Sequence, residues 1–303
     1  VNAPATRTYE HVVEWTKLGA EVTVITCNPN FPQGKLFEGY KNTFKNVEWM
    51  DGIRVIRVWS YMTANEGFLK RTLDYLSFAI TSTLNGLFES PDVIVATSPQ
   101  FFTTWTGRIL SLLKQKPWVF ELRDMWPESI VSVGALKQSS LIYKMLERIE
   151  LYLYRSADLI VPNTPAFKEN LIQRNISEHK IKVVPNGANL DLFNPAKVSG
   201  DSVKKMLGLD GKFVVGYIGT HGLAHSLDFI IKTISEYRFS GVHFLFIGDG
   251  AEKKNIIQLA DEAKLENVTF LAPVPKDQIP RYLAAIDVSL APLKRSETFK
   301  SVI

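Results

Sequence analysis

Short apolar runs alternate with helix-length amphipathic segments along the 303-residue chain. This alternation is typical of an α/β fold in which helical crossovers join parallel strands. Asp51 and Gly52 lie between two of the runs and predict a hairpin turn, hence one antiparallel pair. The predicted strands cover residues 21–26, 47–50, 53–59, 93–96, 118–122, 159–161, 182–184, 213–218, 244–247, 268–271 and 288–290.

The clearest break in the pattern is the turn-rich stretch from Pro185 to Pro195, which lacks periodicity. Because βα units repeat on both sides of it, we predict two doubly wound, Rossmann-like domains, residues 1–187 and 188–303. Loops at the carboxyl ends of their strands would line a cleft between them. No buried strand precedes the first helix and the chain stops just after a loop, so we expect the natural protein to extend beyond both ends.

Two strands of the second domain end in glycines and lead into helical segments. The first ends at Gly219, with Gly222 close behind, and the second ends at Gly248, with Gly250 close behind. Glycines let the backbone approach a ligand, and a following helix N-terminus presents N–H groups to a phosphate. A single such turn is a weak signal, but two in one half of the chain favour a phosphate site over plain tight turns.

Several side chains in these turns are suited to a phosphate. His221 and His225 can hydrogen-bond a diphosphate as neutral imidazole or counter its charge as imidazolium. Asp249 can lie near the ligand or cap the helix expected from Ala251, with equal support for either role. The candidate side chains are Thr220, His221, His225 and Asp249.

Charged and aromatic residues end the most apolar strand of the first domain. Arg123 can clamp a phosphate or sugar, Asp124 can bind an acceptor hydroxyl, and Trp126 can stack on a sugar face. The alternative is an internal salt bridge, with Trp126 packed between the domains. In the last loop, Lys294 can neutralise a leaving diphosphate and Glu297 can bind a sugar hydroxyl, although a solvated charge run is equally consistent.

The segment 68–78 combines aromatic residues with Lys70 and Arg71. That pattern can seat on anionic lipid, but a core-packing helix with a solvated basic end is the favoured interpretation.

Composition narrows the class of protein. The net charge of +4 comes from 35 basic and 31 acidic residues, without the basic bias of a nucleic-acid binder. Cys27 is the single cysteine, which excludes an internal disulfide and fits a reducing compartment such as the cytoplasm. No apolar stretch is long enough to span a bilayer, and no cysteine or acidic residue has the spacing needed to complete a zinc site with His221 and His225.

Taken together, the motifs resemble family-4 glycosyltransferases of the GT-B fold. The resemblance covers nearly the whole chain and lies in the order and spacing of several pieces. The Arg-Asp-x-Trp-Pro sequence resembles the bacterial O-antigen and capsule branch, which includes fucosamine and N-acetylglucosamine transferases. The matching segments are 3–7, 21–26, 121–128, 183–187, 217–219, 246–250 and 282–288.

The resemblance implies a retaining transfer that uses no metal or other cofactor beyond a nucleoside-diphosphate sugar as co-substrate. The donor would bind the second domain. A glycan or polyprenyl-diphosphate-linked acceptor would bind the first, at the inner face of the plasma membrane. Arg123 and Asp124 would act at the transferred sugar, with Arg7 and Trp126 on the acceptor side.

The chain departs from the family pattern at several places, among them Arg123, where many relatives outside the closer branch have histidine, and Asn2, where glycine is common. Thr220 stands where many relatives have arginine, and His225 stands where many have lysine. The second glutamate that usually binds donor ribose would lie beyond Ile303, so we expect an incomplete donor site.

Two other readings of the sequence stay open. A nucleotide-sugar 2-epimerase shares this fold but needs acid and base carboxylates, for which Glu121, Asp124 and Glu128 are few and clustered. A non-catalytic sugar-nucleotide sensor or scaffold would suit the missing basic pair at Thr220 and His225. An NAD-dependent enzyme is weaker, because neither turn has the full Gly-x-Gly-x-x-Gly spacing.

Overall fold

The computed structural model describes residues 6–30, 34–63, 68–98, 101–132, 136–237 and 239–295. These residues form two compact units, the first within residues 1–187 and the second within residues 188–300.

The strands of the first unit form two three-stranded sheets. β3 lies between β1, with which it runs parallel, and β2, with which it runs antiparallel. The second sheet is parallel, with β5 between β4 and β6. Asp51 and Gly52, with φ of 49° and 80°, make the turn between β2 and β3, which confirms the predicted hairpin. The strands described here are β1 (Thr23–Cys27), β2 (Lys45–Met50), β3 (Ile53–Val58), β4 (Ile94–Thr97), β5 (Trp118–Leu122) and β6 (Leu159–Pro162).

Helices connect these strands. The side chains of Ser140 and Thr164 accept hydrogen bonds from backbone N–H groups and cap the last two helices. The main core of the unit packs Trp118 and Phe120 of β5 against Leu153 and Tyr154, all less than 5% exposed. The helices described are α1 (Thr6–Lys17), α2 (Phe68–Gly86), α3 (Phe101–Lys114), α4 (Glu128–Ser132), α5 (Leu141–Ser156) and α6 (Pro165–Gln173).

The second unit is built on a parallel sheet of order β10-β7-β8-β9. Its strands are β7 (Phe213–Ile218), β8 (Val242–Ile247), β9 (Val268–Leu271) and β10 (Val288–Ser289). Its helices are α7 (Asp201–Met206), α8 (Leu227–Tyr237), α9 (Lys253–Glu262) and α10 (Ile279–Ala284).

Both faces of this sheet are covered by apolar side chains, as a doubly wound sheet requires. Alternate residues of a strand point to opposite faces, so β8 serves two cores. Phe246 packs with Ile231 of α8 and Ile256 of α9 on one face. Leu245 and Ile247 pack with side chains near α7 and α10 on the other. β8 is therefore buried along most of its length.

The structure confirms most predicted strands, three of them (118–122, 213–218 and 268–271) to the residue. The predicted strand 182–184 is wrong. Ile181 makes an isolated bridge to Ile160, and only the N–H groups of Lys182 and Val184 continue the pairing along β6. Such alternate hydrogen bonds fix an extended segment at the sheet edge without forming a ladder.

Candidate functional site

The two glycine loops of the second unit follow neighbouring strands and are hydrogen-bonded to each other. Gly219 N–H donates to the carbonyl of Ile247 at 2.9 Å, which continues the β7–β8 ladder. His221 N–H donates to the carbonyl of Asp249 at 2.8 Å, and Glu252 N–H donates back to the carbonyl of His221 at 2.9 Å. At the carboxyl edge of the sheet, the two glycine loops are thus joined by backbone hydrogen bonds.

Glycine is required in the second loop because the first loop lies against it. A Cβ on Gly248 would lie 1.9 Å from the carbonyl oxygen of Gly219, at a φ of 144°. A Cβ on Gly250 would lie 2.4 Å from the carbonyl oxygen of His221. These two glycines therefore permit the approach of one loop to the other. Gly222 is different, because a Cβ there would make only ordinary contacts of 3.5 Å and longer.

His221 is fully buried, with 0% of its surface exposed. Neither ring nitrogen has a hydrogen-bond partner among the described residues. Burial, assisted by the nearby charge of Lys253, lowers the pKa of His221 to about 4. The ring is therefore neutral at physiological pH, which favours the neutral one of the two forms considered for this residue.

Thr220 and His225 lie on the more accessible side of the first loop. Thr220 is exposed, and its carbonyl accepts a 2.7 Å hydrogen bond from the hydroxyl of Tyr217. His225 is half-buried in a 3₁₀ turn at Leu223–His225, and its ring centroid lies 5.9 Å from that of Tyr217. The Tyr217 side chain, which the sequence did not single out, braces the loop that carries both predicted donor residues.

Lys253 is a second contributor that sequence reasoning missed. Its ammonium donates to the carbonyls of Gly248 at 2.6 Å and Leu271 at 2.8 Å, and so ties the ends of β8 and β9 together. A lysine in the first turn of a helix is unfavourable, because its charge lies at the positive end of the helix dipole. That unusual position is the signal by which the sequence could have indicated a role for Lys253.

The expected role of Asp249 as a helix cap is wrong. Helix α9 begins at Lys253, after a turn at residues 251–252, and its N-cap residue is Glu252. The carboxylate of Asp249 instead accepts a 2.8 Å hydrogen bond from the N–H of Gly250. Residues 251–252 form a turn before the helix, and the N–H of Glu252 is bonded to the first glycine loop.

The last described loop reaches the first glycine loop through its backbone. The N–H of Lys294 donates to the carbonyl of Ala224 at 2.8 Å, and the Lys294 residue is exposed. The loop after β10 therefore carries a lysine to the neighbourhood of His225. Glu297 lies outside the described residues.

In the first unit, the predicted acceptor-side residue Arg7 is buried, with 8% exposed. Its Nε donates to Glu121 at 2.9 Å, and its terminal nitrogens donate to three acceptors in the segment 184–186. Glu121 is itself only 6% exposed, at the end of β5. The guanidinium thus connects the first helix, the central strand and the end of the unit.

Arg123 and Asp124 follow β5 directly and are held by Ser98. The hydroxyl oxygen of Ser98 accepts from the N–H of Arg123 at 2.8 Å and from that of Asp124 at 3.4 Å. Burial raises the pKa of Asp124 to about 6, and burial lowers the pKa of Arg123. Two guanidiniums, Arg7 and Arg123, therefore lie near the Glu121 carboxylate, next to an acid that titrates near neutrality.

Trp126 packs as a half-buried residue against the main core of the first unit. That core includes Phe120 and Leu122 of the same unit. Among the described residues, no group of three or more metal-ligating side chains is arranged to hold a metal ion. No helix in that part of the chain is both long and apolar enough to cross a bilayer.

Two α/β units, one with glycine loops at the carboxyl edge of its parallel sheet, define the class as the GT-B glycosyltransferase fold. Residues 2–187 match the family described as "Glycosyl transferase 4-like domain", and residues 212–303 match "Glycosyl transferases group 1". The chain belongs to the glycosyl transferase 4-like family.

Bacterial relatives share this sequence at low identity. WcaI of Escherichia coli K12, named for glycosyl transfer in colanic acid biosynthesis, is 24% identical over 94% of this chain and 72% of its own length. WbjE of Pseudomonas aeruginosa, named as a glycosyltransferase, is 24% identical over 73% of this chain. The match covers 55% of WbjE, so the chain spans little more than half of that relative.

Solved structures share the fold. Sucrose-phosphate synthase from Thermosynechococcus elongatus superposes with a TM-score of 0.71 at 17% identity, over 93% of this chain and 68% of its own. HepE of Anabaena, solved with UDP and glucose, superposes with a TM-score of 0.58 at 21% identity, over 81% of this chain and 62% of its own. At these identities the likeness establishes the fold.

Proposed function

We propose that the protein transfers a sugar from a nucleoside-diphosphate sugar to a glycan or lipid-linked acceptor during assembly of a bacterial surface polysaccharide. The observation that carries this proposal is the pair of interlocked glycine loops at the carboxyl edge of β7 and β8, in a chain of this family. A relative named for colanic acid biosynthesis and a structural neighbour that holds UDP support the choice of substrate class.

The loop geometry narrows which groups would meet the diphosphate. The N–H groups of Gly219 and His221 already donate to the carbonyls of Ile247, at the end of β8, and of Asp249. Among the N–H groups that remain on this loop, those of Thr220 and Gly222 are the ones we propose to meet a phosphate oxygen. His221 would act by shaping the loop as a neutral, buried ring, while Thr220 and His225 would contact the ligand.

We propose a retaining reaction that needs no bound metal. The leaving diphosphate would be stabilised by loop N–H groups, the start of α8, His225 and Lys294. In a front-face mechanism the departing phosphate oxygen takes the proton of the acceptor hydroxyl, so no side-chain base is required. Arg123 and Arg7 would supply positive charge on the acceptor side, and Asp124 would bind a sugar hydroxyl.

One observation favours the 2-epimerase alternative. Asp124 is a half-buried acid with a pKa of about 6, which is suited to proton transfer at neutral pH. Incubation of the intact protein with donor alone distinguishes the two reactions. Epimerised donor in the absence of any acceptor would contradict glycosyl transfer.

The decisive experiment is a donor panel on the intact protein. UDP-, GDP- and TDP-sugars are screened by thermal shift and then incubated with lipid-linked and soluble glycan acceptors. Transfer should persist in EDTA, and NMR of the product should show the anomeric configuration of the donor. A product of inverted configuration, or activity abolished by EDTA and restored by a metal, would refute the mechanism.

His225→Ala tests the site itself. We expect nucleoside-diphosphate affinity to fall about tenfold, as for loss of one hydrogen bond to a charged group, with the fold intact. His179→Ala, in the first unit, is the matched control and should bind as the natural protein does. Unchanged affinity in the His225 variant would remove that residue from the site.

A further inference from the structure

Strand β2 lies at an edge of its sheet in the first unit. In the order β1-β3-β2, it pairs with β3 alone among the described strands. The pairing runs without a bulge from Lys45, opposite Val58, to Met50, opposite Ile53, and β2 contains no proline. Prolines and bulges are two of the devices by which natural sheets prevent further pairing at an edge. Because β2 has neither, another strand can pair with it.

The hairpin geometry determines which backbone groups of β2 point outward. Met50 and Ile53 flank a two-residue turn, so they form a hydrogen-bonded pair, and every second residue back along β2 does the same with β3. The N–H and C=O groups of the alternate residues, Lys45, Val47 and Trp49, therefore point away from β3. Among the described residues, the one bond to these groups is a 3.5 Å contact from the Thr43 hydroxyl to the Lys45 carbonyl. This edge can thus donate and accept the hydrogen bonds of a partner strand.

The side chains of two outward-pointing residues are apolar and exposed. Trp49 is 68% exposed and Val47 is 41% exposed. They lie opposite Arg54 and Ile56 of β3, and hence on the same face of the sheet. Aromatic and β-branched side chains stabilise a sheet through their cross-strand neighbours. Their exposure on an unpaired strand indicates a surface that a partner strand covers.

The sequence of β2 is complementary to itself in an antiparallel pair. When Val47 lies opposite Val47 of a second copy, Lys45 lies opposite Trp49, and its ammonium can contact the indole ring. Asn46 lies opposite Glu48, and its amide can donate to the carboxylate. The outward-pointing residues then form the hydrogen-bonded pairs, with about six backbone bonds in total. A register centred on Glu48 would instead place two carboxylates directly opposite each other.

We propose that the protein forms a two-fold symmetric dimer in which the β2 strands of two copies pair antiparallel, centred on Val47. This pairing joins two three-stranded sheets into one continuous sheet. It covers Val47 and Trp49 of both copies and bonds their outward backbone groups. A foreign strand would find the same backbone groups, but the complementary order of lysine, valine and tryptophan favours a second copy. The inference does not depend on the donor chemistry and can succeed or fail without the proposed function.

Sedimentation velocity of the intact protein tests this inference. We expect a monomer–dimer equilibrium over roughly 1–100 μM protein, as for an interface of small area. Val47→Lys places two ammonium groups against each other at the two-fold axis and should raise the dimer dissociation constant at least about tenfold. Circular dichroism should be unchanged, because the substituted side chain is exposed.

The matched control is Val288→Lys. Val288 is a valine of similar exposure, 45%, on β10, at an edge of the sheet of the second unit. This variant should dimerise as the natural protein does. A protein that stays monomeric throughout this range, a Val47 variant that dimerises normally, or equal loss of the dimer in both variants would overturn the proposal.

Two substitutions of Trp49 test the register. Both remove the indole ring, but Trp49→Glu places a carboxylate opposite Lys45 of the second copy, whereas Trp49→Lys places an ammonium there. We expect the glutamate variant to dimerise about fivefold or more tightly than the lysine variant at low salt. The difference should disappear at 1 M salt, where charges are screened within roughly 3 Å. Equal dimerisation at low salt would show that residues 45 and 49 do not face each other.

Hydrogen exchange of peptides from residues 45–50 locates the interface in the unmodified protein. Exchange should slow as the protein concentration rises, because the outward N–H groups become bonded in the dimer. Peptides that contain Val288 should exchange at a rate independent of concentration. Exchange at residues 45–50 that does not respond to concentration would exclude β2 from the interface.

Discussion

The two candidate sites of this protein differ in the groups that form them. In the first unit, side chains of formal charge (Arg7, Glu121 and Arg123) cluster at the end of β5. In the second unit, backbone N–H and carbonyl groups of two glycine loops interlock around the neutral ring of His221. Both sites lie at the carboxyl ends of parallel strands. Ion pairs stabilise the site in the first unit, whereas backbone hydrogen bonds and close packing stabilise the site in the second.

This difference teaches that the two sites should respond oppositely to mild acid. Asp124 is an acid whose pKa is raised by burial, so protonation relieves a cost in the first unit. His221 is a base whose pKa is lowered by burial, so protonation creates a cost in the second.

The largest expected effect is at Arg7. Arg7→Met leaves Glu121 buried without its guanidinium partner and removes donors from three further acceptors. We expect a loss of about 3–5 kcal/mol in the unfolding free energy of the first unit. Denaturant titration by tryptophan fluorescence reports on that unit alone, because all six tryptophans precede residue 188. The control is Lys17→Met, at the exposed end of α1. If both variants unfold at the same denaturant concentration, the buried Arg7–Glu121 ion pair does not stabilise the first unit.

The second unit is challenged by Gly248→Ala. Its Cβ would meet the carbonyl oxygen of Gly219 in a backbone conformation that side chains rarely adopt. We expect a loss of roughly 2–4 kcal/mol. Hydrogen exchange of peptides from residues 213–271 is the measurement.

Gly222→Ala, in the partner loop, is the matched control for that variant. It should cost only a few tenths of a kcal/mol, because the φ of Gly222 is −106° and a Cβ there would make only ordinary contacts of 3.5 Å and longer. Equal destabilisation by both substitutions would show that the loops do not interlock as described. A Gly222 variant that folds normally but loses diphosphate affinity would support the phosphate contact proposed for its N–H.

Acid sensitivity of the second unit should follow His221. With a folded-state pKa of about 4 against 6.5 unfolded, the unfolded chain takes up the proton first. Stability is therefore lost as the pH falls from 6.5 towards 4, by up to about 3 kcal/mol. Hydrogen exchange of the same peptides at pH 7 and pH 5 measures it, with His221→Gln expected to flatten the dependence. A slope that persists in this variant would assign the effect to another group.

The smallest expected effect, and a stabilising one, is at Asp124. Its folded-state pKa of about 6 lies above the unfolded 3.8, so ionisation costs stability as the pH rises through this window. Asp124→Asn should stabilise the first unit by roughly 1–3 kcal/mol at pH 7 and by little at pH 4. The exposed residue Asp92 provides the control, Asp92→Asn. A gain of stability without loss of transfer would remove Asp124 from the reaction.

The sequence predicted the bounds of the central strands correctly. The runs 118–122 and 213–218 are central strands with apolar side chains on both faces, so length and composition suffice to define them. It failed at segment 182–184, where only alternate residues bond to the sheet edge, and at the start of α9, where residues 251–252 form a turn before the helix begins.

The sequence predicted which loops form the candidate sites, but it did not predict which residues their side chains contact. Arg7 binds residues more than 100 positions away, and no local pattern indicates such partners. His221 was predicted to contact a phosphate, and the sequence did not indicate its burial, because that burial comes from the approach of a second loop. Helix α2 showed the right period, but the period does not say which side faces the protein, and its hydroxyl side proved to be the inner one.

The contact between the glycine loops also limits how related sequences can diverge. A Cβ at Gly248 would lie 1.9 Å from the Gly219 carbonyl oxygen and 3.4 Å from Nε2 of His221. A substitution in one loop therefore requires a compensating change in the other. Descendants that lose Gly248 should have changed the length or course of residues 219–222 as well. Positions 221, 248 and 250 should therefore co-vary among related sequences. Gly222, where a Cβ would make only ordinary contacts, can change with the ligand that each relative binds.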